Sequence, residues 1–140
     1  MNIGQIKNGI VLDHITAGKA MRLYELLKLD KINDCQVAII KNAESKKMGR
    51  KDIIKIDKII NLDFDVLGYV DPNVTVNIIK DSEISEVIKI DLPEKITNVI
   101  KCKNPRCITT VEQELPQVFV LSDKNKRTYR CLYCETLFEE

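Results

Sequence analysis

GIVLDHITAGKAMRLYELL, residues 9–27, is the stretch on which the fold turns. Its first seven residues are dominated by Ile, Val and Leu and read as a strand. Thr16 then offers a helix cap, and Ala17, Ala20, Met21, Tyr24 and Leu27 recur at spacings of three and four, with Leu23 and Leu26 widening the stripe. Gly18 in the first turn is only a mild cost. A strand that feeds an amphipathic helix must lay that helix on a sheet, so the strands that follow decide which sheet it is.

Downstream, CQVAIIK at 35–41 reads as a second strand and the polar NAESKKMG at 42–49 as a loop. RKDIIKID at 50–57 reads as a third strand, half buried at most, because Arg50, Lys51, Asp52, Lys55 and Asp57 are all charged. In INLDFDVLGYV at 60–70, Phe64, Leu67 and Val70 form a short helical face behind an Asp63 cap. Asp71-Pro72-Asn73 breaks the chain, VTVNII at 74–79 alternates as a strand, KDSE turns, and ISEVIKI at 84–90 adds another strand. The order β-α-β-β-α-β with one strand more predicts an α+β, ferredoxin-like N-terminal domain, a sheet covered on one side by two helices.

The charges balance: 22 Lys and Arg face 21 Asp and Glu, with one His, for a formal net charge of +1. The balance stays even on both sides of residue 100, which argues against a dedicated nucleic-acid binder. No apolar run approaches the ~20 residues that span a bilayer, and MNIGQIKNG lacks an apolar secretory core. The expected home is the cytoplasm, with neither a membrane nor a nucleic acid as partner. Five cysteines, one of them Cys35 alone in CQVAIIK, do not suit a secreted disulfide scaffold; Cys35 itself reads as a small apolar residue. TAGKA at 16–20 lacks the P-loop frame, no strand leads into a dinucleotide fingerprint, and no Ser-His-Asp or paired-carboxylate arrangement is legible. Enzyme chemistry is therefore not expected.

The other four cysteines lie in CKNPRC at 102–107 and CLYC at 131–134, with 23 residues between the pairs. Two such knuckles brought together present four thiolates, Cys102, Cys107, Cys131 and Cys134, in the arrangement that suits Zn²⁺. Iron in the same cage, making an electron carrier, is the alternative that metal analysis separates. With every position filled by protein no water is activated, so the expected ion is structural. Between the pairs, QVFVL at 117–121 reads as a strand and KNKRTYR at 124–130 as a basic turn. So few large apolar residues point to a small all-β zinc-binding domain that depends on its ion. LPEKITNVIKC at 92–102 reads as a packed connector through Ile96, Val99 and Ile100. The expected organisation is a domain over 1–92, a connector over 93–100 and the zinc domain over 101–140. The knuckles and the basic turn also suit a zinc-ribbon nucleic-acid module, against which the even charge weighs.

His14 stands beside Asp13 at the end of the first strand, where the imidazole can donate to a phosphate and the carboxylate can accept from ribose hydroxyls. Lys51 and Lys55, four apart, share one face of their strand. If that face meets Asp13 and His14, it becomes a site for an anionic ligand, to which Asn77 adds an amide and Lys89 a further charge. The same residues also read as ordinary solvated surface, and periodicity does not choose between the two.

IVLDHI, MGRKDIIKI, Pro72-x-x-TVN, LPEKITNVIKC, CKNPRC and CLYCE together resemble the regulatory chain family of aspartate carbamoyltransferase over nearly the whole length. The resemblance implies a non-enzymatic subunit. Its N-terminal domain would bind nucleotide effectors (CTP, UTP or ATP) and pair with a second regulatory chain. Its zinc domain would dock a separate catalytic chain, in a dodecamer of six catalytic and six regulatory chains that controls pyrimidine biosynthesis. The implied effector pocket is Ile3, Ile6, Val11, Asp13, His14, Lys55, Asn77 and Ile84, with Asp13 and Lys55 meeting ribose, His14 and Asn77 meeting phosphates, and Lys7 near a second nucleotide or its metal. A family lysine on the phosphates falls on Val87 and a tyrosine near the base on Ser82. Lys89, two residues on and on the same strand face as Val87, is the expected substitute; without it the chain would be an assembly scaffold with weak or lost effector response. At the docking end Asn104 and Glu135 match the family, while Asp123 stands where the family has arginine and Arg106 where it has asparagine.

Overall fold

The computed structural model describes residues 6–138. Strand β1 (Gly9–Thr16) leads into helix α1 (Ala20–Leu26), a single 3-10 turn at Leu29–Lys31, and the hairpin of β2 (Val37–Ser45) and β3 (Gly49–Ile56). Helix α2 (Phe64–Val70) and the hairpin of β4 (Thr75–Lys80) and β5 (Glu83–Lys89) complete the first of two units, which divide between Asp91 and Leu92. The five strands form one antiparallel sheet in the order β2-β3-β1-β4-β5. This is the ferredoxin-like arrangement with β5 added at the edge.

Alternation along the strands sorts the two faces. Ile10, Leu12, Ile54, Ile56 and Val76 point to one side and meet Ala20, Leu23, Leu67 and Val70 from the helices, all buried. The opposite face carries Val11, Asp13, Lys51, Lys55, Thr75 and Asn77, all partly exposed. In α2 the Asp63 cap forms as expected, its Oδ1 accepting from the N–H groups of Asp65 (3.0 Å) and Val66 (3.3 Å). Leu67 and Val70 are buried, whereas Phe64 turns outward.

Two expectations are corrected. Thr16 does not cap α1; the N-cap position is Lys19, with no side-chain cap, and the helix entrance is satisfied from β3 instead. There Asp52 Oδ2 accepts from Gly18 N (2.9 Å) and Ala20 N (3.2 Å). Residues 42–45 are not loop, because β2 continues past a bulge between Ile40 and Ala43, at which Asn42 adopts a φ of 60° and donates its N–H to Asp52 Oδ1 at 2.8 Å. β3 is half buried, as expected: Asp52, Ile54 and Ile56 are each 0% exposed on the helix-covered side, while Lys51 and Lys55 lie partly exposed on the other. A carboxylate is tolerated at Asp52 because three backbone donors surround it. Asp71, also buried, plays a similar part, accepting from Thr16 N (2.6 Å) and Asn73 N (3.1 Å) and so tying the end of β1 to the turn before β4.

Gly9 is fixed by close approach. A Cβ there would lie 2.2 Å from the Ile56 carbonyl oxygen and 2.8 Å from Ile6 Cγ2, and the first of these is backbone in a central pairing. Gly9→Ala is expected to cost about 1–3 kcal/mol, read as a lower urea midpoint with an unchanged slope.

The second unit is a three-stranded antiparallel sheet in the order β6-β7-β8, built from β6 (Lys95–Thr97), β7 (Val118–Asp123) and β8 (Thr128–Cys131), with a single helical turn α3 (Ile108–Val111). The 93–100 segment supplies β6, where Ile96 is 1% exposed opposite Phe119. Phe119 meets Phe138 edge-on at 5.6 Å, and Tyr129 donates its hydroxyl to the Pro93 carbonyl at 2.6 Å. Asp123 turns its carboxylate onto the basic turn, accepting from Asn125 N and Lys126 N. Among the described residues no helix is long and apolar enough to cross a membrane.

Candidate ligand face and metal centre

Strand register assembles the open face of the first sheet into rows. Val11 of β1 lies between Lys55 of β3 and Asn77 of β4, and Asn77 in turn opposes Val87 of β5. The next row along runs Asp13, Thr75, Lys89. In the other direction Gly9, Ile79 and Ile84 form an apolar row, and Ile6 folds over it because Gly9 has no side chain. Four residues separate the apolar row from the Asp13 row, about 13 Å along the strand. Ile84 and Val87 are 63% and 53% exposed, so the shelf is open to solvent in this chain. Ile3 lies outside the described residues.

A bulge provides the polar end. Between Leu12 and Ile15 the β1–β3 register shifts, so that Asp13 and His14 together oppose a single residue, and His14 adopts a φ of 59°. A regular strand would send His14 to the helix-covered face; the bulge brings it back beside Asp13. His14 Nδ1 lies 3.2 Å from Thr75 Oγ1, and its N–H donates to Asp13 Oδ1 at 2.7 Å. Lys51 reaches across to Asp13 at 2.9 Å. Burial alone would raise the Asp13 carboxyl, but the Lys51 hydrogen bond, the His14 N–H and the adjoining positive charges outweigh it and hold it below the usual carboxylate range. The anion is thus retained on a face that also carries Lys55 and Lys89. Sequence reasoning missed Thr75 and left the meeting of Lys51 with Asp13 as a condition, since both depend on register.

The N-terminal segment closes the apolar end. Asp81 and Ser82 take φ values of 52° and 67° in the β4–β5 turn, and their N–H groups donate to Asn8 Oδ1 (3.2 Å) and to the Lys7 carbonyl (2.8 Å). Ser82 is therefore engaged as backbone in a tight turn.

In the second unit the Sγ atoms of Cys102, Cys107, Cys131 and Cys134 all lie within 4.8 Å of one another, with Cys102–Cys134 and Cys107–Cys131 both at 3.6 Å. Four sulfurs held 2.3 Å from a central ion define tetrahedral edges of about 3.8 Å, so the spacing fits a metal. The knuckles are closed by Cys107 N donating to Asn104 O (3.1 Å) and by Glu135 N donating to Cys131 O (2.9 Å), the latter with Glu135 at a φ of 60°. Burial, reinforced by the neighbouring cysteines, pushes the Cys102 thiol up to about 12 despite the Asn104 N–H. Cys134 is also raised by burial, but hydrogen bonds from Thr136 and Asn104 and its pairing with Cys102 bring it down to about 6. Four sulfurs this close would become thiolates together only with a divalent cation among them. Cys35 is elsewhere, half-buried against the N-terminal core, where burial and then Asp34 raise its thiol and leave it a poor nucleophile.

A split β-α-β sheet with a polar open face, followed by a small β unit built on a four-cysteine centre, defines a two-part protein whose second part is a metal-binding module. A family model described as "Aspartate carbamoyltransferase regulatory chain, allosteric domain" matches residues 1–91, and one described as "Aspartate carbamoyltransferase regulatory chain, metal binding domain" matches residues 94–140. The chain belongs to the aspartate carbamoyltransferase regulatory chain family. Relatives bearing that name include a Clostridium botulinum protein, 49% identical over 99% of this chain and 94% of its own length. A Clostridium acetobutylicum protein is 48% identical over 99% and 94%, and one from Bifidobacterium longum 43% identical over 96% of each.

Proposed function

We propose that this chain is the non-catalytic regulatory subunit of aspartate carbamoyltransferase, taking nucleotide effectors on the open face of its first sheet and docking a catalytic chain through its second unit. The observation that carries this reading is the β1 bulge, which gathers Asp13, His14 and Thr75 at one end of a face whose other end is apolar. An elongated ligand with a base at one end and phosphates at the other has the matching polarity. Ile6, Val11 and Ile84 would take the base, Asp13 and Lys55 the ribose, and His14, Asn77 and Lys89 the phosphates. Lys89 stands one row from Asn77, within the span of a four-carbon stem, so it substitutes for the lysine that Val87 lacks. Cys102, Cys107, Cys131 and Cys134 would hold one zinc ion, which when bound supplies rigidity and no open coordination position. The rest of the proposal is a cytoplasmic assembly of six catalytic and six regulatory chains, built on regulatory dimers.

Titration calorimetry of the assembled complex with CTP, UTP and ATP tests the effector reading. At least one triphosphate is expected to bind, and Lys89→Ala to weaken it about tenfold or more, the size of one charge-assisted contact. No heat from any of the three, together with catalytic activity indifferent to them, would leave an assembly scaffold. The exposure of Val87 and the engagement of Ser82 in a turn are what favour that second reading.

A further inference from the structure

Two threonine hydroxyls stand against the cysteine sulfurs. Thr109, 3% exposed on α3, has its Oγ1 3.1 Å from Cys107 Sγ, and Thr136 has its Oγ1 3.3 Å from Cys134 Sγ. One serves the first knuckle and one the second. Without a metal the Cys134 thiol donates to Thr136 Oγ1 and the Cys107–Thr109 contact suits either direction; a metal-bound thiolate has no proton to give, so with the ion in place each hydroxyl becomes the donor. At Thr136 the direction is reinforced: Asn104 Nδ2 donates to Thr136 Oγ1 at 3.3 Å, which occupies an oxygen lone pair and leaves the O–H for sulfur. At Thr109 burial makes the contact itself necessary, since a hydroxyl withdrawn from water needs a partner.

Asn104 is itself held rigidly. Its carbonyl accepts from Cys107 N at 3.1 Å and Thr110 Oγ1 at 2.8 Å, and its Oδ1 accepts from Arg106 N at 3.0 Å. The amide group is thus set by the CKNPRC turn and reaches across to the CLYC knuckle, joining the two halves of the centre.

Resting on the metal-holding role proposed above for the four cysteines, we infer that Thr109 and Thr136 are positioning residues of the metal centre, donating hydrogen bonds to the Cys107 and Cys134 thiolates, with Asn104 orienting the Thr136 hydroxyl. Four thiolates on a divalent cation carry two excess negative charges, and each O–H donor withdraws part of that charge from sulfur. The donors also fix where the lone pairs point. Hydrogen-bonding partners behind metal ligands commonly govern retention in this way.

The test uses the full chain, purified with its metal, and follows transfer of the metal to a chromophoric chelator. Thr136→Val and Thr109→Val are each expected to lower metal affinity about tenfold or more, while Thr136→Ser, which keeps the hydroxyl, stays near wild type. Asn104→Leu should act in the same direction as Thr136→Val, and the two together should lose little more than either alone, because both work through one hydroxyl. Thr136 is exposed, so its valine variant folds even if the Thr109 variant does not. Wild-type affinity in Thr136→Val, or an equal loss in Thr136→Ser, overturns the inference. Wild-type protein that carries no metal overturns the metal reading itself.

Discussion

Removing the metal, by chelation or by Cys131→Ser, is expected to unfold residues 92–138 and leave the first sheet standing. The second unit has little else to hold it. Its buried apolar side chains are Ile96, Ile100, Val118, Phe119 and Tyr129, with Cys107 and Cys131 themselves completing the core. A unit of this size buries too little surface to stand unaided. Binding of a structural zinc supplies an apparent ~10–16 kcal/mol at neutral pH, more than the whole stability of many small domains. Hydrogen exchange separates the two units: amides of β7 and β8 should lose protection on chelation while those of β1, β3 and β4 keep it. On the proposed docking role, co-sedimentation with the catalytic chain should be lost in the same step. Undiminished protection of Phe119 and Tyr129 after metal removal would show that the β sheet stands by itself, and the ion would then have to be assigned another role.

The contrast between the two units explains what could be read from the chain beforehand. Ligand spacing is local, and the four cysteines of CKNPRC and CLYC do meet. Strand identity was legible where Ile, Val and Leu cluster, as in β1 and β7, or alternate, as in β4, and α2 announced itself through Asp63. What could not be read was anything created by pairing between distant strands. His14 shares a face with Asp13 only because β1 bulges against β3, and no single-strand periodicity contains that bulge. Thr75 and Lys89 enter the same row through the β1–β4 and β4–β5 registers. Thr16 carried the right local signal for a helix cap, yet its N–H is taken by Asp71 and the helix entrance by Asp52, a case of tertiary hydrogen bonding overriding a local motif. β3 is half buried as expected, but the buried place of Asp52 was not legible, because a charged residue in a strand reads as solvent-facing until its donors are known.

Asp52→Ala is expected to be the most damaging point substitution in the first unit. Its two oxygens accept from Gly18 N and Ala20 N at the entrance to α1 and from Asn42 N at the β2 bulge, so one side chain ties three chain segments together. Alanine would remove all three acceptors in a place without solvent access. A buried donor left without a partner costs about 1–3 kcal/mol, and three of them plus a small void come to roughly 3–6 kcal/mol if the segments cannot rearrange. That is most of the stability of an ordinary domain. Chemical denaturation followed at the first unit should show a midpoint shift of that size, with the second unit unfolding as before. Asp52→Asn, which keeps one oxygen acceptor but aims an N–H₂ at a backbone donor, should fall between alanine and wild type. If Asp52→Ala lowered stability by less than about 1 kcal/mol, the three N–H groups would have found other partners, and the β2 bulge would owe its shape to the strand pairing alone. The effect should also reach the ligand face: Lys51, the neighbour of Asp52 in sequence, holds Asp13, so loosening β3 at this point disturbs the carboxylate beside His14.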